Sequence, residues 1–369
     1  MNFKKLFKSV VSTALAGAVL LGMTACGKDD SSVEQAAGTT QPGATTTKAP
    51  EKNNEKIVLV WYPNESAEDY KPAREEFARL LEQATGRQVE QKLTTDYAIA
   101  IEAIANGTAT ISFMGAQGYI EANTKSKGKV LPLFVNSGAS GTLEDAIYYS
   151  FLNVNENDAS QYLKDGVYSI DNIVGKKMSF VSNSSTSGFK VPTAGIMAHF
   201  KGDAKWGSLE TDDLIEGGSN MFFSEVLFGG SHQGSGVNLL SKKADVAAFC
   251  DTEIAPYADC VEGTEARPGA VYQIKANASA PFDVYVGKKF VVIKSTPVLN
   301  GPFAYNTDKL SADEVKAIQD LFTSDEVKNN PQIFVAKDSG YVGMFKKTGE
   351  EQIVLVDDSW YNPIRELGA

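Results

Sequence analysis

The 369-residue chain carries 46 acidic against 35 basic residues, a net charge of −11, and only two histidines. So acidic a protein is a poor partner for nucleic acid or anionic lipid by long-range attraction, and any anion it holds must be held by local dipoles and hydrogen bonds. No Cys/His spacing suits zinc, and no GxSxG elbow, Walker A loop or HExxH helix occurs, so neither a metal nor a cofactor is expected and the case for an enzyme is weak.

The chain opens with Lys4, Lys5 and Lys8 and an apolar run from Val10 to Leu21, too short for a membrane span and typical of a secretory leader. The leader ends Leu21-Gly22-Met23-Thr24-Ala25-Cys26, which resembles a bacterial lipobox. The lipobox implies a signal peptide over 1–25 and acylation of Cys26, placing the protein on the extracytoplasmic face of the cell membrane without a transmembrane helix. The other reading is a plain signal peptide with an incidental cysteine. Loss of the three leader lysines takes the mature charge to −14. From Gly27 to Glu55 there is no aromatic residue and one branched aliphatic, Val33, so residues 26–55 read as a lipidated cysteine and disordered tether.

About 314 residues remain, enough for two domains or one bilobed body. Lys56 to Tyr62 reads as a buried parallel strand. Ala67 to Ala84 places Tyr70, Ala73, Phe77, Leu80 and Leu81 on one helical face, stopped by Gly86. A strand over 88–93, a helix over 97–105 capped by Asp96, a strand over 110–114, a helix from Gly118 and a strand over 130–135 follow. This alternation predicts a mostly parallel, doubly wound sheet with helices on both faces.

Ala146 to Asn153 is a longer β-rich run able to cross to a second lobe, and Phe290 to Pro297 is a candidate return. Between them the pattern restarts: a strand over 177–181, a helix from Thr193, a strand over 220–228, a helix over 236–242 and a strand over 245–249. Helices over 312–322 and 359–367 are expected to pack on the first lobe, and Trp360 and Tyr361 read as core or lobe packing. The expected lobes are residues 56–147 plus 300–369, and 148–299. Cys250 and Cys260, with nine residues between them in an exported chain, allow a disulfide or two thiols equally.

The strand at 177–181 runs into Ser184-Ser185-Thr186-Ser187-Gly188-Phe189-Lys190-Val191-Pro192 and then a helix. One N-cap needs a single hydroxyl, and this stretch supplies several, so it is a candidate anion cradle. Ser185 to Phe189, with Val191-Pro192, resembles the signature of the phosphate/phosphite/phosphonate-binding proteins of bacterial ABC transporters. Asp96-Tyr97-Ala98, Ile111 to Gly115, Gly229-Gly230-Ser231-His232 and Ala244 to Ala248 fall in that family's order.

The resemblance implies a bilobed α/β periplasmic-binding-protein fold of type II-like form: two doubly wound lobes joined by two crossing strands, with the ligand cleft between them. It further implies ligand contacts from Ser185, Thr186 and Ser187, from Tyr97 and Tyr148, and from His232. Asn64, Glu65, Gln117 and Asp251 form a second tier. Gln233 follows His232 where aminophosphonate binders have Glu, and Leu299-Asn300-Gly301-Pro302 lacks the Asp expected there. An amine end of the ligand therefore stays open beside phosphite, phosphate and simple alkylphosphonates.

The function implied is a monomeric, lipid-anchored solute-binding protein that closes on an oxyanion and hands it to an ABC permease. A ligand-presenting sensor with the same fold is the alternative. A phosphate-ester hydrolase built on Ser187 and His232 is a third reading, for which no orienting acid is evident.

Overall fold

The structure is a computed structural model describing residues 55–336, 339 and 342–367. The leader, Cys26 and nearly all of the tether lie outside the described residues. In chain order, β1 (Ile57–Trp61), α1 (Lys71–Thr85), β2 (Val89–Leu93), α2 (Tyr97–Ala105), β3 (Ile111–Phe113), α3 (Ala116–Lys125) and β4 (Val130–Asn136) alternate as the sequence predicts. Helix α1 starts four residues later than expected. Pro72 at its first turn cannot donate an amide to a preceding turn, and residues 63–66 and 68–70 form separate 3-10 turns instead. Gly86 ends α1 at φ +68°, its N–H bonded to the Glu82 carbonyl.

Strand β5 (Ile147–Asn155) leads to the hairpin β6 (Leu163–Lys164) and β7 (Val167–Tyr168), then β8 (Lys177–Phe180), α4 (Val191–Phe200), β9 (Glu225–Phe228), α5 (His232–Leu240), β10 (Val246–Cys250), α6 (Asp251–Ile254), β11 (Ala258–Glu262), β12 (Val271–Ile274) and β13 (Lys289–Leu299). The strand expected over 220–228 is confined to 225–228; Phe222 is buried from a bend and Phe223 from an isolated bridge to Gly217. Helix α5 begins four residues before the expected start because Ser231 caps it, accepting from the Gly234 N–H at 3.0 Å. Cys250 and Cys260 are separate thiols, on β10 and β11.

Strand β14 (Phe303–Asn306), α7 (Ala312–Phe322), β15 (Phe334–Ala336), β16 (Phe345–Lys347) and β17 (Ile353–Val354) follow, and the helix expected over 359–367 is a 3-10 turn, Asp358–Tyr361, and a short helix, Asn362–Arg365. The first sheet has the order β17-β4-β14-β3-β1-β2, with β14 and β17 antiparallel to their neighbours. Alternation along β1 sends Ile57, Leu59 and Trp61 to one face, against Phe77 of α1 and Ile318 and Phe322 of α7. Val60 faces the other way, against Ile101 of α2 and Tyr119 of α3. Tyr361 joins this second layer, its ring 5.0 Å from that of Tyr119.

The second sheet has the order β11-β12-β13-β5-β10-β8-β9. Strands β10, β8 and β9 are parallel, and β5, β13, β12 and β11 form an antiparallel half that local patterning does not distinguish. Strands β5 and β13 pair from Asn155↔Phe290 to Leu299↔Ile147, with a bulge at Val292/Lys294. At their first-sheet end the Asn300 N–H donates to the Ala146 carbonyl at 3.0 Å, and the Asn300 side chain donates to the Asn136 carbonyl at 2.9 Å. Among the described residues no helix is long and apolar enough to cross a membrane.

Candidate ligand-binding site

The hydroxyl-rich stretch leaves β8 and makes one wide turn, Thr186–Lys190, before α4 begins with Pro192 in its first turn. Ser185, Thr186 and Ser187 are all buried. Ser185 Oγ accepts from the Gly188 N–H at 3.0 Å, so this hydroxyl does act as a cap, yet its own proton is left to donate elsewhere. A Cβ at Gly188 would lie 2.2 Å from Val181 Cγ2, so the turn packs on the end of β8 closely enough to require glycine.

Thr186 reaches across to the first lobe. Its Oγ1 accepts the backbone N–H of Gln117, in the first turn of α3, at 2.8 Å. Because the oxygen is an acceptor there, the Thr186 proton is directed away from α3. Ser187 lies beside the Tyr148 phenol, and the Ser187 carbonyl accepts from Ser150 Oγ at 2.6 Å. Burial raises the Tyr148 phenol above its ordinary value, keeping it protonated. Tyr149, its neighbour, sits on the opposite face of β5 with Arg267 5.5 Å from its ring centre.

Asn64 joins the lobes a second time. Its Nδ2 donates to the Tyr97 hydroxyl at 2.7 Å, its Oδ1 accepts the His232 N–H at 3.2 Å, and its carbonyl accepts from Gln233 Nε2 at 3.3 Å. Tyr97 opens α2 behind its Asp96 cap, with its ring 4.1 Å from that of Tyr62. His232 opens α5 and is buried; its Nδ1 accepts the Cys250 N–H at 3.1 Å, which puts the ring proton on Nε2. Burial lowers its pKa to about 3, so the ring is neutral.

A group of carboxyls lies beside these donors. Asp251 Oδ1 accepts the N–H groups of Tyr149 and Thr252, each at 2.9 Å, which ties it to β5 and its own helix. Glu253 instead faces the first lobe, accepting from Tyr70 OH at 3.4 Å and Gln233 Nε2 at 3.3 Å. Burial pushes Asp251 up to about 6 and Glu253 up to about 7. Glu65 is buried, and its Oε2 has no hydrogen-bond partner among the described residues. Burial, then the charge of Glu253, raises it well above the usual carboxylate range. Between Asn64 and Gln233 a cavity of about 310 Å³ opens, walled also by Tyr257 and Pro281.

The structure thus links Ser185, Thr186, Ser187 and Tyr148 on the second lobe to Gln117 on the first, and His232 to Asn64 and Tyr97. Asp251 borders the group through β5, and Glu65 borders it through Glu253. Glu253 and Tyr70 were not singled out from sequence as site residues. The Asp251-Thr252-Glu253 run at the end of a buried strand carried the signal, but only the fold shows which carboxyl turns inward.

Several comparisons bear on this arrangement. A family model described as an ABC-transporter phosphonate periplasmic substrate-binding protein matches residues 59–361. The phosphate-import protein PhnD of Mycolicibacterium smegmatis is 26% identical over 318 residues, covering 85% of this chain and 81% of that protein. Among solved structures, a binding component of an ABC phosphonate transporter from Pseudomonas aeruginosa aligns with TM-score 0.57 and 21% identity, over 85% of this chain and 86% of that one. PhnD1 from Prochlorococcus marinus, in complex with methylphosphonate, aligns with TM-score 0.59 and 13% identity, over 86% and 98%. At these identities the structural matches carry the fold alone.

Proposed function

We propose, for a chain that belongs to the phosphonate periplasmic substrate-binding protein family of ABC transporters, that it captures a phosphonate, phosphite or phosphate oxyanion by closing its two lobes and delivers it to the permease. The family is a substrate-binding one, so the protein is a transport component and not an enzyme. The observation that carries the proposed site is the Gln117–Thr186 hydrogen bond, which joins the α3 N-terminus to the hydroxyl turn.

The donors available there are neutral. Ser185, Thr186 and Ser187 offer hydroxyl protons, Tyr97 and Tyr148 offer phenols, and His232 offers Nε2–H. Neutral donors fixed before the ligand arrives suit an acidic protein, since they hold an oxyanion without a basic field and strengthen as closure excludes water. Closure pivots where Ala146 meets Asn300, with lobes 56–147 plus 300–369 and 148–299 moving as bodies. Outside the described residues, lipidation of Cys26 and the 26–55 tether would hold this monomer at the membrane within reach of its permease.

Calorimetric titration with phosphate, phosphite, methylphosphonate and 2-aminoethylphosphonate tests the reading. Heat from at least one, with a matching rise in melting temperature, is expected; silence from all four would remove the oxyanion claim. A second reading, a ligand with a cationic end, is favoured by the neighbouring carboxyls Glu65 and Glu253, of which Glu65 Oε2 has no hydrogen-bond partner among the described residues. It expects 2-aminoethylphosphonate to outbind methylphosphonate, with the advantage lost in Glu253→Gln.

A further inference from the structure

One carboxylate beside the hydroxyl turn has no donor to offer an oxyanion, yet it is tied directly to that turn. Glu121 lies on α3, four residues after Gln117, and both of its oxygens are occupied. Oε1 accepts from the Gln117 side-chain amide at 2.9 Å, and Oε2 accepts from Ser184 Oγ at 2.7 Å. The first bond stays within the helix, an i,i+4 pair. The second crosses between the lobes, to the residue two positions before Thr186.

Two bonds therefore run in parallel from α3 to the turn: the Gln117 N–H to Thr186, and Glu121 to Ser184. The first involves a group that faces the ligand, and the second does not. A charge-assisted hydrogen bond is roughly twice as strong as a neutral one. The Glu121–Ser184 bond is thus the stronger tie, and it fixes where Thr186 sits over Gln117. Lys125, the nearest base along α3, is paired with Glu102 at 2.6 Å and does not compete for Ser184.

We propose that Glu121 is a positioning residue for ligand retention: it latches α3 of the first lobe to Ser184 of the second, and so holds the Ser185–Ser187 turn in the register that aims the Thr186 proton at a bound oxyanion. The proposal rests on the oxyanion reading above. It places Glu121 outside direct ligand contact and predicts an effect on escape rather than on encounter, because the latch must break before the lobes can part.

The test uses the mature chain, with inorganic phosphate and methylphosphonate as probes, and the variants Glu121→Ala, Glu121→Gln, Ser184→Ala, Ser184→Thr and the double Glu121→Ala/Ser184→Ala. Stopped-flow dissociation of whichever probe binds should be about tenfold faster in Glu121→Ala and in Ser184→Ala, with association little changed. The double variant should be no worse than either single, because both remove one bond. Ser184→Thr, which keeps the hydroxyl, should restore slow dissociation. Additive effects, or wild-type dissociation in both alanine variants, would overturn the latch.

Hydrogen exchange of the Gln117 amide in the unliganded variants separates this failure from failure of the oxyanion reading. If neither probe binds the wild type, that reading falls, and the latch is judged by exchange alone. Faster exchange in Ser184→Ala supports it, and unchanged protection overturns it. Should Glu121→Ala fail to fold, Glu121→Gln and Ser184→Ala carry the same comparison.

Discussion

The backbone N–H of Cys250 donates to Nδ1 of His232 across 3.1 Å, so the last residue of β10 sets the tautomer of the first residue of α5. The ring is thereby a neutral Nε2–H donor, and burial keeps it neutral, with a pKa of about 3. An unfolded histidine titrates near 6.5. Between those values the unfolded chain binds a proton that the folded chain refuses, so stability rises with pH and is lost as pH falls from about 6.5. Thermal melts of wild type and His232→Asn between pH 7 and pH 4 should diverge, with the variant losing less on acidification. Equal slopes would mean that the ring is hydrated in solution.

Glu253 carries the opposite sign. Its folded pKa, about 7, lies above the unfolded carboxylate value, so the folded chain holds a proton that the unfolded chain releases. Stability from this group is fully present below pH 4 and falls as pH rises through 7. The causes are burial and the charge of Asp251, and Glu65 on the facing lobe is raised in the same way. Glu253→Gln should therefore stabilise the unliganded protein at pH 8 and change little at pH 4. Denaturant titration at the two pH values measures the difference.

Much of this was legible in the chain. Period and caps located α2 behind Asp96 and α7 over 312–322, and the strand–hydroxyl–helix run singled out the turn at 185–187. The antiparallel half of the second sheet was not legible, because β11 and β12 are short and the pairing of β13 with β5 joins residues far apart in sequence. The inward carboxyl was missed for a related reason. Asp251 and Glu253 lie on the same four-residue helix, and the choice between them depends on the N–H of Tyr149, which is 102 residues away in sequence. Glu121 was invisible as a latch because its partner lies on another lobe.

The hydroxyls of Thr186 and Ser187 should matter separately. Thr186→Val removes the proton offered to the ligand and leaves the Gln117 N–H facing a methyl group. Ser187→Ala removes the hydroxyl beside the Tyr148 phenol. Each should weaken oxyanion binding by roughly 1–3 kcal/mol, the range for a lost hydrogen bond to a charged group. Calorimetry on each single variant checks this. Unchanged affinity in both would move the site away from the turn.

Two glycines three residues apart, one capping α3 and one within it, predict different failures. A Cβ at Gly115 would lie 2.8 Å from Thr186 Oγ1, an atom of the opposite lobe, while the local backbone, φ −66° and ψ 157°, accepts alanine without strain. Gly115→Ala should therefore leave the melting temperature of the unliganded protein nearly unchanged, because the lobes separate slightly to make room. It should weaken ligand binding by about 1 kcal/mol, since Thr186 must be displaced. A Cβ at Gly118 would lie 1.9 Å from the Tyr62 hydroxyl, within the same lobe and against the buried layer that contains Tyr97. No lobe motion relieves that clash, so Gly118→Ala should destabilise the fold by roughly 1–3 kcal/mol. Melting curves and titrations of the two variants in parallel distinguish them. A stability loss in Gly115→Ala equal to that in Gly118→Ala would mean that the lobes do not move independently.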